Sequence, residues 1–73
     1  MSKIVMDVPE ISCEHCSRAI VQALQPQTGV VSVRVDVPSQ QVFLEYDEQT
    51  ISLDRVKTIL AEEDYPVEQV TPA

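Results

Sequence analysis

The run Val31-Ser32-Val33-Arg34-Val35-Asp36-Val37 alternates apolar and polar residues without a break. Val31, Val33, Val35 and Val37 fall on one face, and β-branched side chains suit a pleated, half-buried surface. Pro38-Ser39-Gln40 follows. Gln41-Val42-Phe43-Leu44-Glu45-Tyr46 then alternates again, with Val42, Leu44 and Tyr46 on one face. Two alternating segments joined by a short polar stretch predict a β-hairpin, although this turn carries no glycine.

On the N-terminal side, Lys3 to Val8 also alternates, with Ile4, Met6 and Val8 on one face, and Pro9 ends it. Cys16, Ala19, Ile20, Ala23 and Leu24 then recur at helical spacing, while Ser17, Arg18, Gln22 and Gln25 take the other side. Ser12 or Cys13 stands at the N-cap of this helix, and Pro26 stops it. Gly29 lies in the turn before the hairpin. On the C-terminal side, Ser52 is the expected N-cap of a second helix, with Leu53, Val56, Ile59 and Leu60 as its inner stripe. Asp54 suits the first turn of that helix, because a carboxylate favours the positive end of the helix dipole. Tyr65-Pro66 breaks it, and Val67 to Val70 reads as a short last strand.

The order is therefore βαββαβ within one domain, residues 1–73. Two right-handed crossovers and a central hairpin predict an α+β, ferredoxin-like sandwich, a four-stranded antiparallel sheet with both helices on one face. Ile4, Met6, Ile20, Leu24, Val33, Val35, Leu44, Val56 and Leu60 are the expected core, sufficient to fold without metal. In this topology the loop before the first helix and the loop carrying Tyr65 fall at the same end.

Composition narrows the function. The 73 residues hold 5 basic and 12 acidic side chains, a net charge of −7. That excess argues against nucleic acid, whose phosphates need Lys and Arg. It argues equally against an anionic membrane surface and favours a basic protein partner. No run approaches the roughly 20 apolar residues of a membrane span, and Met1 to Val8 does not read as a signal peptide. The expected compartment is the cytoplasm, where thiols stay reduced.

Both cysteines lie in Cys13-Glu14-His15-Cys16. Two thiols at this spacing can close on one soft ion, Cu(I) or Zn(II), or on each other. A cysteine in the first helical turn is helped into its thiolate form by the helix dipole and free N–H groups, and Cys16 occupies that place. A thiol–disulfide oxidoreductase would use the same spacing, but in a longer fold with a different element order. A structural zinc module would need two more Cys or His ligands, and His15 is the single histidine. No phosphate-binding glycine loop or nucleophile elbow is present, so the chain does not read as an enzyme.

The chain resembles the heavy-metal-associated domain family, which comprises small copper chaperones and the soluble metal-binding modules of copper-transporting ATPases. Ile11-Ser12-Cys13-Glu14-His15-Cys16 matches the family's M-[TS]-C-x-x-C loop. Gly29-Val30, followed by Val33 and Val35, is similar to its G-V-x-x-V-x-V segment. Glu63-Asp64-Tyr65 matches the end of its second helix. Three positions depart from the family: Ile11 stands for Met, Glu10 for Gly and Asp64 for Gly. Ile can fill the volume of Met, and Asp tolerates a left-handed backbone.

The resemblance implies a metallochaperone. Cys13 and Cys16 would bind Cu(I) and pass it by thiolate exchange to the soluble domain of a metal-transporting P-type ATPase. Zn(II) or another soft metal held by a buffering domain is the alternative. Tyr65 has two readings, a rim aromatic or a shield over the sulfurs, and Ile11 packs beneath the loop. His15 is either a solvent-facing bystander or a third ligand. As a ligand it would favour Zn(II) or a metal-bridged dimer over a monomer. Glu62, Glu63 and Asp64 are either a solvated helix end or a docking surface.

Overall fold

The computed structural model describes all 73 residues. Its elements are β1 (Ser2–Asp7), α1 (Glu14–Leu24), β2 (Val30–Asp36), β3 (Gln41–Tyr46), α2 (Leu53–Glu62) and β4 (Gln69–Pro72). The four strands form one antiparallel sheet in the order β2-β3-β1-β4. Each β-α-β crossover skips one strand, which is the ferredoxin-like sandwich expected from the hairpin. No helix is long and apolar enough to cross a membrane.

Local chemistry sets the helix ends. The Ser52 hydroxyl accepts from the Arg55 N–H at 3.1 Å and caps α2 as expected. At its other end α2 closes in a Schellman turn. The Tyr65 N–H reaches the Leu60 carbonyl at 2.8 Å, and the Asp64 N–H reaches that of Ala61 at 3.1 Å. This turn requires a left-handed residue, and Asp64 supplies it at φ +67°. Three acidic residues therefore crowd a helix end that prefers cations, and no basic residue lies in the last turn.

The core lies between the sheet and the two helices. Met6, Val8, Ile11, Ile20, Leu24, Val42, Val56 and Leu60 are fully buried, with Ile4, Leu44, Tyr46 and Ile59 nearly so. Removing a side chain of this kind from water contributes about 1.5–3 kcal/mol. Ile51 joins the core from the turn before α2, although it belongs to no periodic stripe. It packs where Gly29 leaves room. A Cβ on Gly29, whose φ is +100°, would stand 2.9 Å from both Ile51 and Thr50.

Three expectations need correction. Val31 does not share the inward face of β2. The ladder pairs Val30 with Tyr46 and Ser32 with Glu45, so Val31 is the extra residue of a bulge and is 50 % exposed. Val33 and Val35 are half-buried rather than central, because β2 is an edge strand. The last strand runs over Gln69–Pro72, not from Val67 to Val70. Tyr65-Pro66-Val67 instead crosses the end of the sandwich, with the Tyr65 and Val67 side chains on the core. Backbone pairing resumes only where the Glu68 N–H meets the Asp7 carbonyl at 2.8 Å. Pro72 is tolerated because β4 is the other edge.

Candidate metal centre

Three loops meet at one end of the sheet. Asp7 faces Gln41 on one side and Gln69 on the other. The segment leaving β1, the β2–β3 turn and the segment entering β4 are therefore neighbours. The first of these carries the cysteines. Cys13 is the N-cap of α1 in an extended conformation, and its carbonyl accepts from the N–H groups of Cys16 at 3.1 Å and Ser17 at 3.3 Å. Cys16 sits one turn into the helix, on the face that carries Ile20 and Leu24 into the core.

The two thiols are free and unequal. Cys13 is exposed and Cys16 is buried. Their sulfurs lie 3.9 Å apart, almost twice the disulfide length of about 2.05 Å. Thiolate–metal bonds of about 2.3 Å put two sulfurs on one ion at most about 4.6 Å apart. The observed spacing falls inside that reach, and the exposed Cys13 side chain is free to adjust it. No group of three or more His, Cys, Asp and Glu side chains converges anywhere in the fold. His15 is exposed and is not drawn into a cluster with the thiols.

The surroundings favour the Cys16 thiolate. Its pKa is lowered from the ordinary 9.0 to about 6, first by hydrogen bonding from the Tyr65 hydroxyl, then by the Ser12 backbone and hydroxyl. The Ser12 Oγ lies 3.8 Å from the Cys16 sulfur. Burial works in the opposite direction, and the Cys13 thiol adds a smaller favourable contact. Tyr65 shows the reciprocal effect. Its pKa is raised to about 12, chiefly by the hydrogen bond to Cys16. The hydroxyl thus stays protonated and able to donate throughout the range in which the thiol titrates.

A pH dependence follows for the reduced protein without metal. The unfolded chain holds the Cys16 proton more tightly than the folded one. Stability should therefore rise as pH climbs from about 6 to 9.0, and this contribution is lost as pH falls back through about 6. The thiolate ultraviolet absorbance of Cys13→Ser should titrate near 6, and adding Tyr65→Phe should move the midpoint upward. A midpoint near 9 in both variants would refute the arrangement.

Of the residues singled out from sequence, Cys13, Cys16, Tyr65 and Ile11 come together at this end. Ile11 is fully buried beneath the loop. Two further residues belong here. Ser12 does not cap α1, whose N-cap is Cys13, and its hydroxyl contacts the Cys16 sulfur instead. Gln40, in the β2–β3 turn, donates its side-chain amide to the carbonyls of Pro9 and Ile11, each at 2.9 Å. A hairpin turn without glycine hints at a residue of positive φ there, but nothing in the sequence points to the partners of Gln40.

Comparison with known proteins agrees with this geometry. The chain is 36 % identical over 63 residues to the copper chaperone CopZ of Staphylococcus haemolyticus, covering 86 % of this chain and 93 % of the relative. The structure superposes on a CopZ metallochaperone with a TM-score of 0.87 at 30 % identity, covering 92 % of this chain and all of that one. It also superposes on a heavy metal binding protein from Thermotoga maritima, with a TM-score of 0.82 and 38 % identity over 97 % of this chain and 98 % of that one. The heavy-metal-associated domain model matches residues 5–66, which include both cysteines and Tyr65. The chain belongs to the heavy-metal-associated domain family.

Proposed function

We propose that the domain is a cytoplasmic metallochaperone. It carries one Cu(I) between Cys13 and Cys16 and delivers it to the soluble domain of a metal-transporting P-type ATPase. The observation that carries this reading is the thiol pair itself, with one sulfur exposed, one buried and no His, Asp, Glu or further Cys gathered beside them. Two soft thiolates suit a soft monovalent ion. A closed tetrahedral zinc site asks for more ligands than the fold brings together. The CopZ relatives support copper as cargo. A single chain supplies both ligands, so a monomer suffices, and nothing in the task requires catalysis.

The unequal burial gives delivery a direction. An incoming partner thiolate reaches the ion from the Cys13 side. It adds to the ion, Cys13 leaves, and Cys16 is the last bond to break. Its lowered pKa keeps Cys16 a thiolate at neutral pH, so no proton has to be removed before the ion binds. Tyr65, whose hydroxyl is the largest cause of the lowered Cys16 pKa, would shield the buried sulfur. Glu62, Glu63 and Asp64 stand beside Tyr65 at a helix end that gains nothing from them electrostatically. With the net charge of −7, they would steer a basic partner toward the thiol end.

Anaerobic titration with Cu(I) and Zn(II) against a thiol competitor tests the cargo. One tightly held Cu(I) per chain, preferred over Zn(II), is expected. Stopped-flow transfer to a P-type ATPase domain with its own Cys-x-x-Cys tests delivery. The rate should fall as salt rises, because steering is screened over a Debye length of about 8–10 Å. The equilibrium partition should change much less, since similar thiolates hold the ion on both sides. Zn(II) preference would reassign the domain to buffering, and a salt-independent rate would remove the role of the acidic face.

A further inference from the structure

We propose that Gln40 is a positioning residue for the thiol loop, clamping the chain between β1 and the cysteines through its side-chain amide. The inference rests on Cys13 and Cys16 being the cargo site. Its Nε2 group has two hydrogens, and two carbonyl oxygens, those of Pro9 and Ile11, each lie 2.9 Å away. The Gln40 backbone carbonyl accepts from the Val8 N–H, also at 2.9 Å. One turn residue thus binds Val8, Pro9 and Ile11. These contacts fix the path of the chain immediately before Ser12 and Cys13.

The backbone of Gln40 argues that this side chain has a role. Its φ is +57°, a left-handed conformation that favours glycine, asparagine or aspartate. A residue with a branch at Cβ or a simple alkyl stem would gain nothing from being there. Gln40 holds the unfavourable conformation because its amide then points across to the loop. Asn is one methylene shorter and would not span both carbonyls. Cys13 itself is exposed and has no side-chain cap bond. The backbone position of Cys13 therefore depends on its carbonyl bonds to α1 and on how firmly the preceding residues are held.

The test separates the clamp from the turn. Gln40→Gly removes the amide while suiting the positive φ, so the hairpin should remain at least as stable. Gln40→Glu keeps the shape but sets a carboxylate against two carbonyl oxygens. Both variants should lose up to about 10-fold in Cu(I) affinity, the low end of the effect of removing a group bonded directly to a metal ligand, because Gln40 holds the backbone just before Cys13 rather than a ligand itself. Amide exchange at Ile11, whose N–H is bonded to the Val8 carbonyl at 3.1 Å, should quicken in both, while the thermal midpoint of Gln40→Gly does not fall. Affinity within twofold of the parent in both variants would overturn the proposal. If the parent chain itself binds no Cu(I), the cargo reading fails separately, and Ile11 exchange still decides. Faster exchange in Gln40→Gly supports the clamp, and equal rates refute it.

Discussion

Cys16→Ser should lose tight Cu(I) binding by several orders of magnitude, and Cys13→Ser should do the same. A two-ligand site that loses one soft donor retains a single thiolate, and a serine hydroxyl is a hard, neutral donor at physiological pH. His15 carries the one imidazole in the loop, and it is exposed and not clustered with the thiols. The fold should survive both changes. Cys13 is exposed, and surface substitutions of this kind shift stability within about 0.5 kcal/mol. At Cys16 the buried hydroxyl costs about 1–3 kcal/mol if unpaired, but the Ser12 hydroxyl lies beside it. Circular dichroism of the reduced variants checks the fold, and anaerobic competition titration checks the affinity. Affinity within tenfold of the parent in both variants would sink the proposed site.

Much of the architecture is legible because period and propensity agree. The valine alternation of β2, the helical stripe ending in Ile20 and Leu24, and the Ser52 cap all point to the elements found. What escapes the sequence comes from tertiary geometry. Val31 continues the alternation, but a bulge inserts it into the ladder and turns it outward. Val67 and Val70 look like one strand, but Val67 serves the core from an extended crossing segment and pairing begins later. Ile51 has no periodic neighbours and is buried because Gly29 makes space for it. The two thiols are legible from their spacing and from the helix that starts between them. Gln40 is not, because its partners lie about 30 residues earlier in the chain and the register of β1 on β3 brings them together.

Ile11→Ala should cost about 2–5 kcal/mol, the range for truncating a fully buried isoleucine without collapse of the cavity. A folded chain of 73 residues has about 4–11 kcal/mol in all, so this one side chain removes from about a fifth to all of it. The thermal midpoint should fall by about 8 °C at the least. Ile11→Met, the residue usual in the family, conserves volume and should cost less than about 1.5 kcal/mol. The cavity is expected to persist because both ends of Ile11 are tethered. Its N–H is bonded to the Val8 carbonyl and its carbonyl to Gln40, so the loop cannot settle into the space. Cu(I) should restore part of the loss, to the extent that the ion binds the folded loop more tightly than the unfolded chain, whose two thiols lie only three residues apart. At a hundredfold excess over Kd the gain is at most about 2.7 kcal/mol. Urea melts of the reduced variant with and without Cu(I) measure both quantities. A loss below about 1 kcal/mol would mean that the loop closes over the missing side chain. The thiols would then be held by α1 alone, with no support from the core beneath them.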